Sequence, residues 1–115
     1  MLLSTTDSIC GKTIVRHLGL VKGNTVRTRH EGQGALAILQ RMVGGEVTVY
    51  TKLMAEAREQ ALDRMVEEAR QLGANAVLGV HFASSEIMTR AAEFLVYGTA
   101  VVVEDLKTDR KDSLC

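Results

Sequence analysis

The sequence predicts an α+β fold of two layers: a three-stranded antiparallel sheet in the order 1-3-2, with one short and one long helix. Two valine-rich runs, residues 76–85 and 94–104, are typical of paired strands, and residues 13–21 predict a third strand. Between the third strand, residues 13–21, and the first valine-rich run, residues 50–72 contain no glycine, and their apolar residues recur at helical spacing. With 115 residues, the chain can bury one core without the help of disulfides.

The first strand, residues 13–21, is expected to place successive side chains on opposite faces of the sheet. On that alternation, His17 and Val21 share one face. The strand is expected to end at a turn formed by Gly23 and Asn24, because glycine and asparagine are typical turn residues.

Two helices are expected next. Residues 35–43 predict a short apolar helix that ends at a glycine pair, Gly44 and Gly45. Residues 50–72 predict a long helix whose apolar arc spans roughly 220° at 100° per residue. Packing against one sheet face requires a narrower apolar arc than this. The width of the arc therefore predicts that the helix packs against a second partner, most simply another copy of the chain.

Two charged residues, Arg58 and Glu68, fall inside this apolar arc. Because burial of an unpaired charge is costly, each is expected to find a partner. Either an ion pair within the structure or contact with a ligand would satisfy them.

The two late strands are expected to form a hairpin, with the last strand in the middle of the sheet. Residues 1–104 form the single predicted domain. Residues 105–115 carry six charged side chains and few apolar ones, so they are expected to be a flexible charged tail, which includes Cys115.

Charge and composition argue against several classes of function. The net charge is +0 and aromatic residues make up 3% of the chain, so nucleic-acid binding is not expected. The sequence shows neither a leader nor a long apolar stretch, so a membrane protein is not expected. Two cysteines suit a reducing cytoplasm. No catalytic nucleophile motif is present, and we expect no enzyme activity.

The candidate metal ligands are Cys10, His17 and His81, although the chain contains no CxxC, HxxxH or HExxH motif. With the last strand between them, His17 and His81 are expected about 10 Å apart, too far to share an ion within one subunit. A ring could bring His17 of one subunit near His81 or Cys10 of the next, a donor set that suits zinc or copper. Alternatively, the histidines only pack and form hydrogen bonds at the subunit contact.

Several blocks together resemble one family: STTDSICGKTIVRHLGLVKG at the start, the glycine pair after the short helix, EEARQLGANAVLGV and the late YGTAV. They resemble the YbjQ-like family, small bacterial and archaeal proteins described as binding heavy metals. The resemblance covers residues 1–104. It implies a dodecin-like subunit that assembles as a ring, preferably a homopentamer, and it implies no settled activity.

Two functions of different classes are therefore expected. The first is an oligomeric binding protein that takes a divalent or soft metal ion, or another small ligand, at its subunit junctions. The second is a structural or regulatory homo-oligomer whose surface binds a protein partner and no small ligand. Polar side chains that converge in a pocket would favour the first.

Overall fold

The computed structural model describes residues 1–28, 45–88 and 91–106. Within them, the elements in chain order are strand β1 (Leu2–Leu3), strand β2 (Lys12–Thr28), helix α1 (Gly45–Gln71), strand β3 (Ala76–Met88) and strand β4 (Ala91–Asp105). The α+β prediction is confirmed. The predicted short helix over residues 35–43 lies outside the described residues, as do residues 107–115 of the predicted tail.

The sheet has four strands in the order β1-β3-β4-β2. The three long strands lie as expected, with β4 in the centre and antiparallel to both β2 and β3. However, β1 pairs with β3 in parallel, so the sheet is mixed and the expected three-stranded antiparallel sheet is wrong. A strand of two residues is too short to show the alternation by which a strand is predicted from sequence.

The predicted turn at Gly23 and Asn24 is also wrong, because β2 continues through both residues to Thr28. Gly23 instead lets helix and strand approach closely. A Cβ at this position would overlap the carbonyl oxygen of Ala61 and lie 2.5 Å from the backbone nitrogen of Met65. Glycine here is a requirement of packing, which a local turn pattern cannot distinguish.

Two irregularities in β2 change which side chains share a face. The register with β4 shifts between Ile14 and Arg16 and again between His17 and Gly19, where Gly19 has φ 112°. After the second shift, Val21 packs in the core beneath the helix, whereas His17 lines the opposite sheet face. The expected shared face of His17 and Val21 is therefore wrong, because a bulge breaks the alternation.

The core lies on both faces of the sheet. On the helix face, buried residues of α1 pack against all three long strands: Val21, Ala61, Met65, Ala69, Ala74, Val77, Val80, Val96 and Ala100. On the other face, a smaller cluster packs with two residues near the N-terminus: Ala76, Leu78, Val101 and Val103 with Ile9 and Ile14. The N-terminal segment, residues 1–11, therefore takes part in covering the face that α1 leaves open.

Helix α1 buries a narrower stripe than its apolar arc predicts. The fully buried positions recur every four residues, at Ala57, Ala61, Met65 and Ala69. Arg58 is exposed to solvent, so the expectation that it is buried with a partner does not hold within this chain. Glu68 is half-buried.

Candidate functional site

A cleft of about 270 Å³ opens on the sheet face opposite α1. Its floor is apolar, and its rim carries hydroxyl, carboxylate and imidazole groups. The lining residues are Thr5, Asp7, Ile14, His17, Leu78, Gly79, His81, Thr99 and Val101. An apolar floor with a few polar groups on its rim is the usual chemistry of a small-ligand site.

Both predicted histidines line this cleft. His17 on β2 lies opposite Val101 of β4, and His81 on β3 lies opposite Tyr97 of β4. The central strand separates them, as the sequence predicts. Because Val101 and Tyr97 are four residues apart on one strand, they share a face, and the two histidines rise from that face at different levels along the sheet.

The backbone fixes the orientation of the His81 ring. Its Nδ1 donates a hydrogen bond to the carbonyl oxygen of Gly79 at 2.7 Å. A carbonyl oxygen can only accept, so Nδ1 carries the proton and Nε2 of the neutral ring holds a free lone pair. The ring also stacks on Tyr97, with centroids 5.7 Å apart and planes at 16°. Histidines that bind metals typically have their second nitrogen held in this way.

The N-terminal segment supplies one wall of the cleft. Backbone hydrogen bonds tie it to β3: Ser4 N donates to Val77 O at 3.0 Å, and Val80 N donates to Ser4 O at 2.9 Å. Gly79 N donates to Thr6 O at 2.9 Å. These bonds hold Ser4 and Thr6 against β3, and Asp7, the next residue, lines the cleft that His17 and His81 share.

Cys10, the third candidate ligand from the sequence, is exposed in the turn before β2 and does not line this cleft. The structure therefore brings His17 and His81 to one cleft and places Cys10 outside it.

Two residues of the site and its support were missed by sequence reasoning. Asp7 lies in a polar N-terminal stretch that shows no periodicity, and only the tertiary fold carries it to the cleft. Asn75 acts as an extra strand residue: Nδ2 donates to Val103 O at 2.9 Å and Oδ1 accepts from Val103 N at 2.8 Å. An asparagine between Ala74 and a valine-rich strand is a weak signal for such a bridge.

The donor chemistry of the cleft suits a borderline divalent ion, because imidazole nitrogen and carboxylate oxygen both bind such ions. Within residues 1–28, 45–88 and 91–106, however, no three side chains of His, Cys, Asp or Glu are grouped closely enough to hold a metal. The described residues thus fit a metal ion in kind, and they are too few to enclose it.

The fold and the cleft define a class of small α+β protein: one long helix on a mixed sheet, with a histidine-lined cleft on the opposite face. A family model described as "Putative heavy-metal-binding" matches residues 1–104, and the chain belongs to this YbjQ family. The resemblance drawn from the sequence is confirmed.

Relatives in this family span bacteria and archaea. The chain is 52% identical over 104 residues to a UPF0145 protein of Hahella chejuensis, covering 90% of this chain and 100% of that one. It is 53% identical over 104 residues to a UPF0145 protein of Thermus thermophilus, covering 90% and 91%. For a UPF0145 protein of Halorubrum lacusprofundi, identity is 54% over 101 residues, covering 88% and 97%.

A solved structure shares the fold. It is a protein of unknown function of the DUF74 family from Pediococcus pentosaceus, with a TM-score of 0.62 and 13% identity, covering 90% of this chain and 98% of that one. Among the residues that the structure describes, no helix is both long enough and apolar enough to cross a lipid bilayer.

Proposed function

We propose that this chain is a non-enzymatic, cytoplasmic binding protein that assembles with copies of itself, preferably as a pentamer. In this proposal the cleft shared by His17 and His81 takes a metal ion or another small ligand. The observation that carries it is the convergence of both histidines and Asp7 on one cleft over an apolar floor.

The orientation of His81 supports ligand binding. The hydrogen bond from Nδ1 to Gly79 and the stack on Tyr97 hold the ring before any ligand arrives. A ligand-binding nitrogen that is already held in place loses less conformational entropy on binding. The fixed Nε2 of His81 therefore contributes more to the binding free energy than the same nitrogen on a mobile ring would.

Among the described residues the donor set is incomplete, which supports a site that draws on a second subunit. Strand β4 separates His17 from His81, and structural zinc sites use four ligands. A neighbouring copy would add the missing donors, and imidazole-rich sets favour zinc or copper.

A specific observation also favours the second candidate, an assembly that binds a protein partner and no small ligand. Large apolar side chains stand in solvent on both sheet faces: Leu20 is 66% exposed and Phe82 is 53% exposed. Exposed apolar surface of this kind is typical of protein contacts.

Zinc titration by calorimetry on untagged protein tests the proposal. We expect micromolar binding in the parent, weakened roughly tenfold or more by His17→Ala and by His81→Ala. Arg16→Ala is the matched control, since Arg16 neighbours His17 but pairs opposite Val102 and therefore points to the other face. Absence of binding in the parent, or binding unchanged in both histidine variants, would contradict the metal site.

A further inference from the structure

We propose that the cleft binds an organic amine. The ammonium group lies between the carboxylate of Asp7 and Nε2 of His81, and the apolar body of the molecule extends over the cleft floor toward His17. This inference rests on the small-ligand cleft of the proposed function, and it names the class of ligand that the cleft selects.

The side chains of Asp7 and His81 are both held at Gly79. The N–H of Gly79 donates to the carbonyl oxygen of Thr6, the residue before Asp7, at 2.9 Å. The carbonyl oxygen of the same glycine accepts the hydrogen bond from Nδ1 of His81 at 2.7 Å. Two backbone groups of one residue thus bring a carboxylate and an imidazole to the same end of the cleft, and both side chains line it.

At this end, the cleft offers acceptors of hydrogen bonds. An ionised carboxylate only accepts, and because Nδ1 of His81 carries the ring proton, Nε2 accepts as well. Among the described residues, none forms a hydrogen bond or an ion pair with the carboxylate of Asp7. A molecule that binds both groups must therefore supply N–H or O–H donors.

The charge of the lining favours a cationic donor. Asp7 is the lining residue that carries a carboxylate, and neither lysine nor arginine lines the cleft in the part of the chain that the structure describes. A hydrogen bond from an ammonium group to a carboxylate is about twice as strong as one between neutral groups. The same carboxylate repels an anion, so the lining selects an amine over a carboxylic acid or a phosphate.

The shape of the cleft suits an extended molecule better than a single ion. His17 and His81 lie opposite residues that are four apart on β4, so their levels differ by about 13 Å along the sheet, and β4 separates them by about 10 Å across it. An ion bound by two imidazoles holds the two nitrogens about 4 Å apart. The two side chains cannot close these separations, whereas an extended molecule reaches from one level toward the other.

The floor of the cleft can take the apolar body of an amine. It is formed by the side chains of Ile14, Leu78 and Val101. The cleft volume of about 270 Å³ lies just below the range of pockets for drug-sized molecules, which suits a small amine with one alkyl chain or ring. Burial of its carbon atoms on this floor would add to the binding free energy.

Calorimetry with hexylamine, in phosphate buffer free of other amines, tests the ligand class. We expect saturable binding to the untagged parent protein, and binding of pentylamine that is roughly fourfold weaker because one buried methylene group is lost. Hexanoate, which has a similar length and an anionic end, should not bind. Absence of hexylamine binding, or equal binding of hexanoate, would overturn the amine.

Asp7→Asn tests the position of the ammonium group. Asparagine keeps the size of the side chain and removes its charge, so hexylamine should bind roughly tenfold more weakly or worse. Asp63→Asn is the matched control, because it makes the same change of net charge at an exposed position of α1, on the other side of the sheet. Unchanged binding to Asp7→Asn, or an equal loss in both variants, would overturn this site.

The zinc titration separates this inference from the function on which it rests. Zinc binding without hexylamine binding would overturn the amine and leave the metal site standing. Binding of neither would overturn both. Hexylamine binding that is lost in Asp7→Asn and kept in Asp63→Asn would support the amine, whatever the result with zinc.

Discussion

At the scale of single residues, Gly23 sets the distance between helix and sheet. The backbone of α1 passes so close to β2 that no Cβ fits between them. Next to it, Thr25 Oγ1 donates a buried hydrogen bond to the carbonyl oxygen of Ala57 at 3.0 Å. Helix α1 thus packs on β2 through the close backbone approach at Gly23, the hydrogen bond of Thr25 and the buried side chain of Met65.

Gly23→Ala is expected to lower the free energy of unfolding by about 1–3 kcal/mol, because the added methyl group must push α1 away from β2. Urea denaturation followed by circular dichroism measures it. Thr13→Ala, an exposed change on the same strand, serves as the control and should cost less than about 1 kcal/mol. Equal stability of the two variants would show that the packing of α1 on β2 does not require a glycine at position 23.

The residues of the cleft differ in how far sequence could predict them. His17 and His81 could be assigned to separate strands with β4 between them, because strand order follows from the hairpin and the long crossover. That both histidines line one cleft could not be predicted, because a bulge in β2 decides on which sheet face His17 lies. Asp7 reaches the cleft through backbone bonds between distant segments, which leave no local pattern.

At the scale of elements, the bulge in β3 shapes the cleft. The register with β4 shifts between Leu78 and His81, and Gly79 within the shift has φ 62°. The same glycine accepts the hydrogen bond from His81 Nδ1. One irregular residue therefore both bends the strand and orients the histidine.

Gly79→Ala is expected to destabilise the fold by about 1–2 kcal/mol and to weaken zinc binding, since alanine resists this left-handed conformation. A Cβ at this position would meet nothing within 4 Å, so the cost comes from the backbone alone. Gly79→Asn is the matched control, because asparagine accepts such torsions better. Denaturation and zinc calorimetry measure both effects. If both variants lose the same stability and the same zinc affinity, the left-handed conformation of Gly79 is not the cause of the loss.

The long helix was the element best predicted from sequence. Its observed bounds, Gly45–Gln71, extend the predicted residues 50–72 by five at the start. Its apolar arc did not predict the buried stripe, because a repeat of three alanines and Met65 at every fourth position is enough to pack closely on the sheet. That narrow contact leaves Arg58 in solvent and needs no buried ion pair.

At the scale of the whole molecule, the residues that the structure describes leave much of the sheet open. The N-terminal segment covers only the part of the second face near Ile9 and Ile14, and the far half carries exposed Leu20 and Tyr97. Open edges and open faces together are what an assembling subunit presents. The same assembly would complete the donor set, which is too small among the residues that the structure describes.

Native mass spectrometry of untagged protein, combined with elemental analysis, tests the central claim most directly. We predict a complex of several 12.5 kDa chains that retains a metal ion or another small species, and we predict that a variant with both His17→Ala and His81→Ala loses that species. A complex of bare chains would contradict ligand binding and favour an assembly that binds a protein partner. A bare single chain of 12.5 kDa would contradict the account as a whole.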